Sequence, residues 1–127
     1  MEFVTEVFFL MILFHIIDDF VLQTVCLSKL KQQSFWTTNA PNKMYKNDYK
    51  MALFIHSLSW SIMIHVPIML WMEHNVILLM ITIPINTIIH YIVDDLKANK
   101  YTINLVTDQS IHLLQIFITH ILTVLLS

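Results

Sequence analysis

The sequence predicts an all-α, polytopic membrane protein, a bundle of four transmembrane helices in one domain over residues 1–127. Composition is the first reason: 57% of the residues are apolar, 13% are charged and the mean hydropathy is +0.67, whereas a soluble domain carries about 25% charged residues. The second reason is that four apolar stretches each reach the roughly 20 residues that a helix needs to cross the hydrocarbon. The third is that the lysines lie only in two of the segments that connect these stretches, both of which are expected on one side of the membrane.

The four stretches are residues 3–28, 51–72, 76–96 and 106–126. Within lipid only a helix or a closed barrel satisfies its own backbone, and these runs do not alternate with period two, so we expect helices. Pro67 and Pro84 lie inside the second and third stretches and are expected to kink them. The first stretch carries Glu2 and Glu6 without a basic segment or a small-residue cleavage site. We therefore interpret it as a retained span and not as a signal peptide.

Lysine placement predicts the orientation in the membrane. All seven basic residues fall between spans one and two or between spans three and four: Lys29, Lys31, Lys43, Lys46, Lys50, Lys97 and Lys100. With four spans these two segments lie on the same side, which the positive-inside rule makes cytoplasmic. We expect both termini to lie outside. Segment 29–50 is expected to be a solvated cytoplasmic loop with a short interfacial helix.

Several classes of function are disfavoured by composition. The chain has no glycine, which argues against phosphate-cradling loops and nucleotide fingerprints. A net charge of −2 offers no basic face for nucleic acid. The single cysteine, Cys26, excludes an internal disulfide and a cysteine zinc cluster. Heavy use of Ile, Lys and Asn without Arg is typical of an AT-rich genome, which indicates a bacterium or its phage and hence the bacterial inner membrane.

Ionisable residues recur inside the predicted spans. Each costs about 2.5–3.5 kcal/mol to insert into a membrane, so a functional role is the default interpretation. Seven of them are candidate metal ligands: His15, Asp19, His56, His90, Asp94, Asp108 and His112. Six of the seven form His/Asp pairs four residues apart, a spacing that places both side chains on one helix face. At 1.5 Å per residue from the cytoplasmic lysines, most lie roughly 5–12 Å deep, with the first pair deeper.

This convergence predicts a divalent metal site of zinc, manganese or iron. Seven nitrogen and oxygen ligands exceed the four of a closed zinc site. They fit two metals bridged by carboxylates, or one metal with carboxylate–histidine pairs around it. Two alternatives without a resident metal stay open, namely a bundle held by His–Asp hydrogen bonds and a proton or ion pathway.

Other polar residues near the spans have plainer interpretations. His65, His74 and His120 are expected to be interfacial or hydrogen-bonded histidines outside the cluster. Asp18 and Asp95 adjoin candidate ligands, and the sequence does not decide which carboxylate of each pair faces the metal.

The motifs, taken in order, resemble a family. They are His15-x3-Asp19-Phe20-x2-Gln23, His56, His90-x3-Asp94-x2-Lys97 and Asp108-Gln109-x2-His112. This ordered set resembles a bacterial and phage family of small membrane proteins catalogued as domain of unknown function 3307, and the resemblance covers nearly the whole chain. It implies a four-helix membrane fold. More distantly, the chain is similar to membrane-bound metal-dependent hydrolases whose spans carry His and Asp ligands. The doubled Asp18-Asp19 and Asp94-Asp95 depart from the family pattern, as does the long polar stretch 37–50.

The leading functional hypothesis is a metal-dependent hydrolase that acts on a lipid-like ester or phosphoester at the cytoplasmic leaflet. Metal-activated water would be the nucleophile, since the sequence contains no nucleophilic serine motif. Lys97 is the candidate catalytic residue, because its ammonium group can stabilise developing negative charge. Two rival hypotheses are a non-enzymatic, phage-type effector such as a holin-like protein, and a small ion or proton transporter. The lipid bilayer is the expected partner in every case.

The predicted orientation can be tested by cysteine labelling in intact cells. In a Cys26→Ser background, Ser127→Cys should react with a membrane-impermeant maleimide from outside, and Lys46→Cys should react only after permeabilisation. The opposite pattern would show that the lysine-bearing segments face outward.

Overall fold

The structure is a computed structural model that describes residues 2–72 and 75–126. His74 and Ser127, which figure in the expectations above, lie outside the described residues. All regular elements of the described chain are helical: α1 (Glu2–Ile16), a π-helical segment (Ile17–Leu22), α2 (Val25–Leu30), α3 (Gln33–Asn39), a 3-10 turn (Lys43–Tyr45), α4 (Asp48–Trp71), α5 (Val76–Ala98) and α6 (Leu105–Leu126).

Three helical stretches in the described residues are long and apolar enough to cross a membrane. They are Lys43–Trp71, which includes α4, then Val76–Ala98 and Leu105–Leu126. The prediction of an all-helical chain suited to a membrane is confirmed to this extent. Helix α1 and the π-helical segment are continuous and have 15 and 6 residues, but they are not among those three. The fourth span therefore stays a prediction.

The four long helical elements pack in a ring. Helix α4 packs between α1 and α5, and α6 packs against α5 and α1. The apolar core lies mainly between α1 and α4: Val7, Met11, Trp60, Ile64, Ile68, Leu79 and Ile116. Large apolar side chains also cover the outer faces, such as Met80 and Ile88 on α5 and Leu125 on α6. An apolar exterior around an interior rich in polar groups suits a lipid environment.

The first predicted span, residues 3–28, is a shorter helix than expected. After α1 the backbone widens into the π-helical segment, where the Gln23 amide donates to the Asp18 carbonyl at 2.9 Å, five residues back. The helix then breaks at Gln23. Thr24 is extended and its hydroxyl accepts from the Leu27 amide at 3.2 Å, so it caps the new helix α2. The helix that begins this predicted span ends before residue 28 because the Gln23 backbone leaves the helical conformation, with ψ 88°, where hydropathy continues.

Substitution of two isoleucines on α4 tests which face of this helix is buried. Ile64 is fully buried, whereas Ile62 is 43% exposed. Ile64→Ala should lower the free energy of unfolding by about 2–5 kcal/mol, because it leaves a cavity in the core. Ile62→Ala should change it by less than about 1 kcal/mol. Reversible unfolding of both variants in detergent measures the difference, and equal losses would mean that the buried face of α4 is assigned incorrectly.

Candidate metal centre

The structure brings all seven candidate ligands into one buried cluster. They come from four elements of the ring: His15 of α1, Asp19 of the π-helical segment, His56 of α4, His90 and Asp94 of α5, and Asp108 and His112 of α6. None of these side chains is more than 7% exposed. The cluster forms because the i,i+4 spacing aligns each pair on one face and the ring turns those faces inward.

Two overlapping groups within the cluster can hold a metal ion. One consists of Asp19, His56 and His90, and the other of His90, Asp94 and His112. In each group one potential ligand atom per residue lies within 4.8 Å of the others. His90 belongs to both groups, so the two positions are neighbours.

The spacing of the ligand atoms suits metal coordination. Two ligands at about 2.1 Å from a tetrahedral metal lie about 3.4 Å apart. The Asp19 Oδ1 and His56 Nε2 atoms are 3.3 Å apart, and His112 Nε2 lies 3.5 Å from Asp108 Oδ1 and 3.7 Å from Asp94 Oδ1. The atoms are therefore close enough to share an ion.

Many of these atoms make no hydrogen bond to any residue that the structure describes. They are Asp18 Oδ2, Asp19 Oδ1, His56 Nε2, both ring nitrogens of His90, Asp108 Oδ1 and His112 Nε2. A buried polar atom left in this state costs about 1–3 kcal/mol. The same atoms lie close to one another, as His56 Nε2 does to Asp19 Oδ1 at 3.3 Å. The arrangement therefore could hold a metal ion and is also compatible with His–Asp ion pairs.

A hydrogen-bonded line between α5 and α6 orients His112. Its Nδ1 lies 3.2 Å from Gln115 Oε1, while Gln115 Nε2 donates to Asn86 Oδ1 at 3.1 Å. Because the amide oxygen is only an acceptor, Nδ1 of His112 carries a proton, and Nε2 faces the carboxylates. A metal at Nε2 would require that nitrogen to be unprotonated.

His15 lies at the edge of the cluster. The Trp60 indole donates to His15 Nδ1 at 2.7 Å, and this ring nitrogen is therefore already an acceptor. His15 belongs to neither group of three among the described residues. Trp60 also stacks on His90, with ring centroids 4.3 Å apart. A ligand role for His15 therefore stays a prediction. Trp60 contacts two of the histidines and positions them, a role that the sequence analysis did not identify.

The two Asp-Asp motifs differ in which carboxylates face the cluster. Asp18 is buried, its Oδ1 accepts from the Ser59 hydroxyl at 2.8 Å, and its Oδ2 lies 3.8 Å from His56 Nδ1. Both Asp18 and Asp19 thus face inward, on a segment whose π-helical geometry is frequent at functional sites. Asp95 instead pairs with Lys100 at 3.2 Å. Only Asp94 of the second motif reaches the cluster.

Two lysines contact the cluster, and one of them was unexpected. Lys97 Nζ lies 2.5 Å from Asp108 Oδ2 and is 29% exposed. Lys31 Nζ lies 2.5 Å from Asp94 Oδ2, and this side chain is 4% exposed. The expectation of a solvated loop is wrong for Lys31, because the break at Gln23 directs α2 back toward the ring. No spacing rule in the sequence indicated this contact.

The cluster is rich in carboxyl groups. Asp18, Asp19, Asp94 and Asp108 lie in it, together with the ammonium groups of Lys31 and Lys97. The imidazoles of His56 and His112 lie 3.3–3.8 Å from carboxylate oxygens of the same set. Buried charge is costly in apolar surroundings unless it is paired.

The remaining described histidines lie apart from this centre. The ring nitrogens of His65 lie 2.7 Å from the Ser61 carbonyl and 2.9 Å from the Thr82 hydroxyl. His120 packs against Phe8, with ring centroids 5.2 Å apart. The expectation of a hydrogen-bonded His65 outside the cluster is confirmed.

The chain matches no protein-family model, no curated protein and no solved structure. The resemblance noted in the sequence stays an expectation, and the functional argument rests on the geometry of the cluster.

Substitutions on different helices should remove metal together. His90→Ala and Asp108→Ala should each weaken metal binding by roughly tenfold or more, a loss comparable to that for groups that support a metal site. His65→Ala is the matched control and should keep the wild-type metal content, since His65 bonds elsewhere. Elemental analysis of the three purified variants gives the comparison. Equal metal content in all three would place the metal outside this cluster.

Proposed function

We propose that this protein is a membrane-embedded, metal-dependent hydrolase that acts on a lipid-like ester or phosphoester at the cytoplasmic leaflet. One observation carries the proposal: a buried set of carboxylate oxygens and imidazole nitrogens, spaced for coordination and without hydrogen-bond partners among the described residues. Such a set could hold a divalent cation, and a divalent cation in a water-poor site is suited to hydrolysis.

Nitrogen and oxygen donors favour zinc, manganese or iron over a soft thiolate-seeking metal. Two metals are proposed because His90 is common to two adjacent groups of candidate ligands. Asp94 belongs to one of these groups, and its Oδ2 also lies 3.6 Å from His56 Nε2 of the other. In this proposal α1 and the π-helical segment form the fourth span, and the bundle encloses the centre.

The location of the centre suits a lipid-like substrate. Lys31 and Lys97, which contact the cluster, belong to the segments that the positive-inside rule places at the cytoplasmic face. The centre would then lie just below the headgroups on that side. A lipid-like ester or phosphoester of that leaflet is therefore the proposed substrate.

The chain's own groups have distinct roles in this chemistry. A bound divalent metal would supply Lewis acidity, which polarises the scissile group and lowers the pKa of water. A water oxygen attacks the carbonyl carbon or phosphorus, the bond to the leaving oxygen breaks, and the water's protons are shared between the alcohol and acid products. Lys97, at the accessible edge, stabilises the negative charge that develops. The hydroxyls of Ser57 and Ser61 donate to the Leu53 and Ile83 carbonyls, whereas the Ser59 hydroxyl donates to Asp18 Oδ1.

The direct test is hydrolysis by the metal-loaded protein. Wild type in detergent, reconstituted with zinc, manganese or iron, should cleave lipid esters or phosphoesters, and chelation should abolish the reaction. Stoichiometric metal without hydrolysis of any ester class would contradict the enzyme. Ion flux through liposomes without hydrolysis would support a transporter instead.

The role of Lys97 can be separated from metal binding. Lys97→Met should reduce kcat by roughly 100-fold, as expected when a charge-stabilising donor is lost, while metal content stays within twofold of wild type. Lys100→Met is the matched control, since Lys100 is 59% exposed and pairs with Asp95 away from the cluster. Similar kcat values for the two variants would exclude Lys97 from the reaction.

A further inference from the structure

We infer that the protein binds one anionic phospholipid at a site formed by α2, α3, the 3-10 turn and the start of α4. The site consists of two neighbouring cavities, one lined by lysines and one lined mainly by apolar side chains. None of the candidate metal ligands lines either cavity. The inference goes beyond the proposed hydrolase and does not depend on it.

The first cavity, the lysine cavity, lies between α3 and the 3-10 turn and has a volume of about 220 Å³, far more than one water molecule needs. Its lining includes Trp36, Thr37, Asn42, Lys43, Tyr45 and Lys46. Lys43 and Lys46 are exposed. They make no ion pair with a carboxylate of the described chain, unlike Lys31, Lys97 and Lys100. Two ammonium groups are therefore available to an anion.

The second cavity, the apolar cavity, lies between α2 and α4 and has a volume of about 430 Å³. Its lining consists of Asp48, the first residue of α4, and of Leu27, Leu30, Trp36, Met51, Ala52 and Ile55. From Asp48 to Ile55 a helix rises about 10 Å. Met51 and Ile55 are 60% and 57% exposed, which suits contact with hydrocarbon and not with water.

Trp36 joins the two cavities, because its side chain lines both. Its indole donates to the Leu30 carbonyl at 2.8 Å and stacks on the Tyr45 ring, with centroids 6.2 Å apart and an angle of 20° between the planes. Tryptophan and tyrosine are typical of the headgroup layer, where one end of the ring is wet and the other apolar. A fixed aromatic wall thus stands between a cationic cavity and an apolar one.

The position of the site indicates a lipid as its occupant. The stretch Lys43–Trp71, which contributes to both cavities, is long and apolar enough to cross a membrane. The site therefore lies where such a stretch enters the bilayer. A molecule that fills both cavities has a charged group and an apolar chain, as a phospholipid does. A soluble anion would fill only the lysine cavity.

Charge determines which phospholipid fits. Segment 29–50 contains five lysines and a single acidic residue, Asp48. Asp48 lines the apolar cavity, and no carboxylate is among the described residues that line the lysine cavity. A zwitterionic headgroup would place its cation there without a partner. Lysines next to a membrane-crossing helix instead favour anionic lipid, whose phosphate they bind as compact charges.

Lipid retention by the purified protein tests the inference, with native mass spectrometry from a mild detergent as the readout. Wild type should retain one molecule of phosphatidylglycerol and should bind phosphatidylcholine of the same chain length about tenfold or more weakly. Treatment with a chelator should leave this binding unchanged, because the site contains no candidate metal ligand. Equal retention of the two lipids, or loss of binding on chelation, would overturn the inference.

A pair of double variants locates the site. Lys43→Gln with Lys46→Gln should weaken phosphatidylglycerol binding by about tenfold or more, since both charges of the lysine cavity are lost. Lys29→Gln with Lys50→Gln is the matched control. It removes the same charge from exposed lysines of the same segment that line neither cavity, and its affinity should stay within about twofold of wild type. Equal losses in the two variants would show general electrostatic attraction and no site.

Competition by glycerol phosphate, which lacks acyl chains, tests the part played by the apolar cavity in the wild type. It should displace phosphatidylglycerol only at concentrations about 100-fold or more above those of a competing anionic lipid, since burial of the chains contributes to binding. Displacement at similar concentrations would assign the site to a soluble phosphoester and would contradict a lipid occupant.

Discussion

The structure depends on one electrostatic constraint, the burial of four carboxylates inside an apolar helical ring. Asp18, Asp19, Asp94 and Asp108 face one another across the bundle, with Lys31, Lys97 and several imidazoles beside them. Such a cluster is stable only when its charge is compensated. Carboxylate oxygens and imidazole nitrogens are both ligands of divalent cations. The proposed metal would therefore account for the polar interior as a whole.

The fold meets this constraint with local features as well as with helix faces. The π-helical segment turns two adjacent carboxylates inward, and the break at Gln23 directs Lys31 back to Asp94. On the far side, Gln115 and Asn86 hold His112 in a fixed orientation. These features place charge and lone pairs at one level of the bundle, while the outer faces stay apolar.

Helical periodicity made much of the centre predictable. A spacing of four residues is enough to place His90 with Asp94 and Asp108 with His112, because an α-helix repeats every 3.6 residues. Three of the four expected spans correspond to apolar helices of sufficient length. The inward turn of Asp18 and the burial of Lys31 could not be foreseen. Both depend on departures from the α-helix, namely the π-helical segment and the break before the Thr24 cap. Hydropathy and periodicity do not indicate such departures.

X-ray absorption at the zinc edge of the zinc-loaded protein tests the central claim most directly. The account predicts nitrogen and oxygen ligands at about 2.0–2.2 Å, with the outer-shell scattering of imidazole and a loss of that scattering in His90→Ala. The absence of bound zinc, or a shell of oxygen ligands without imidazole, would contradict it.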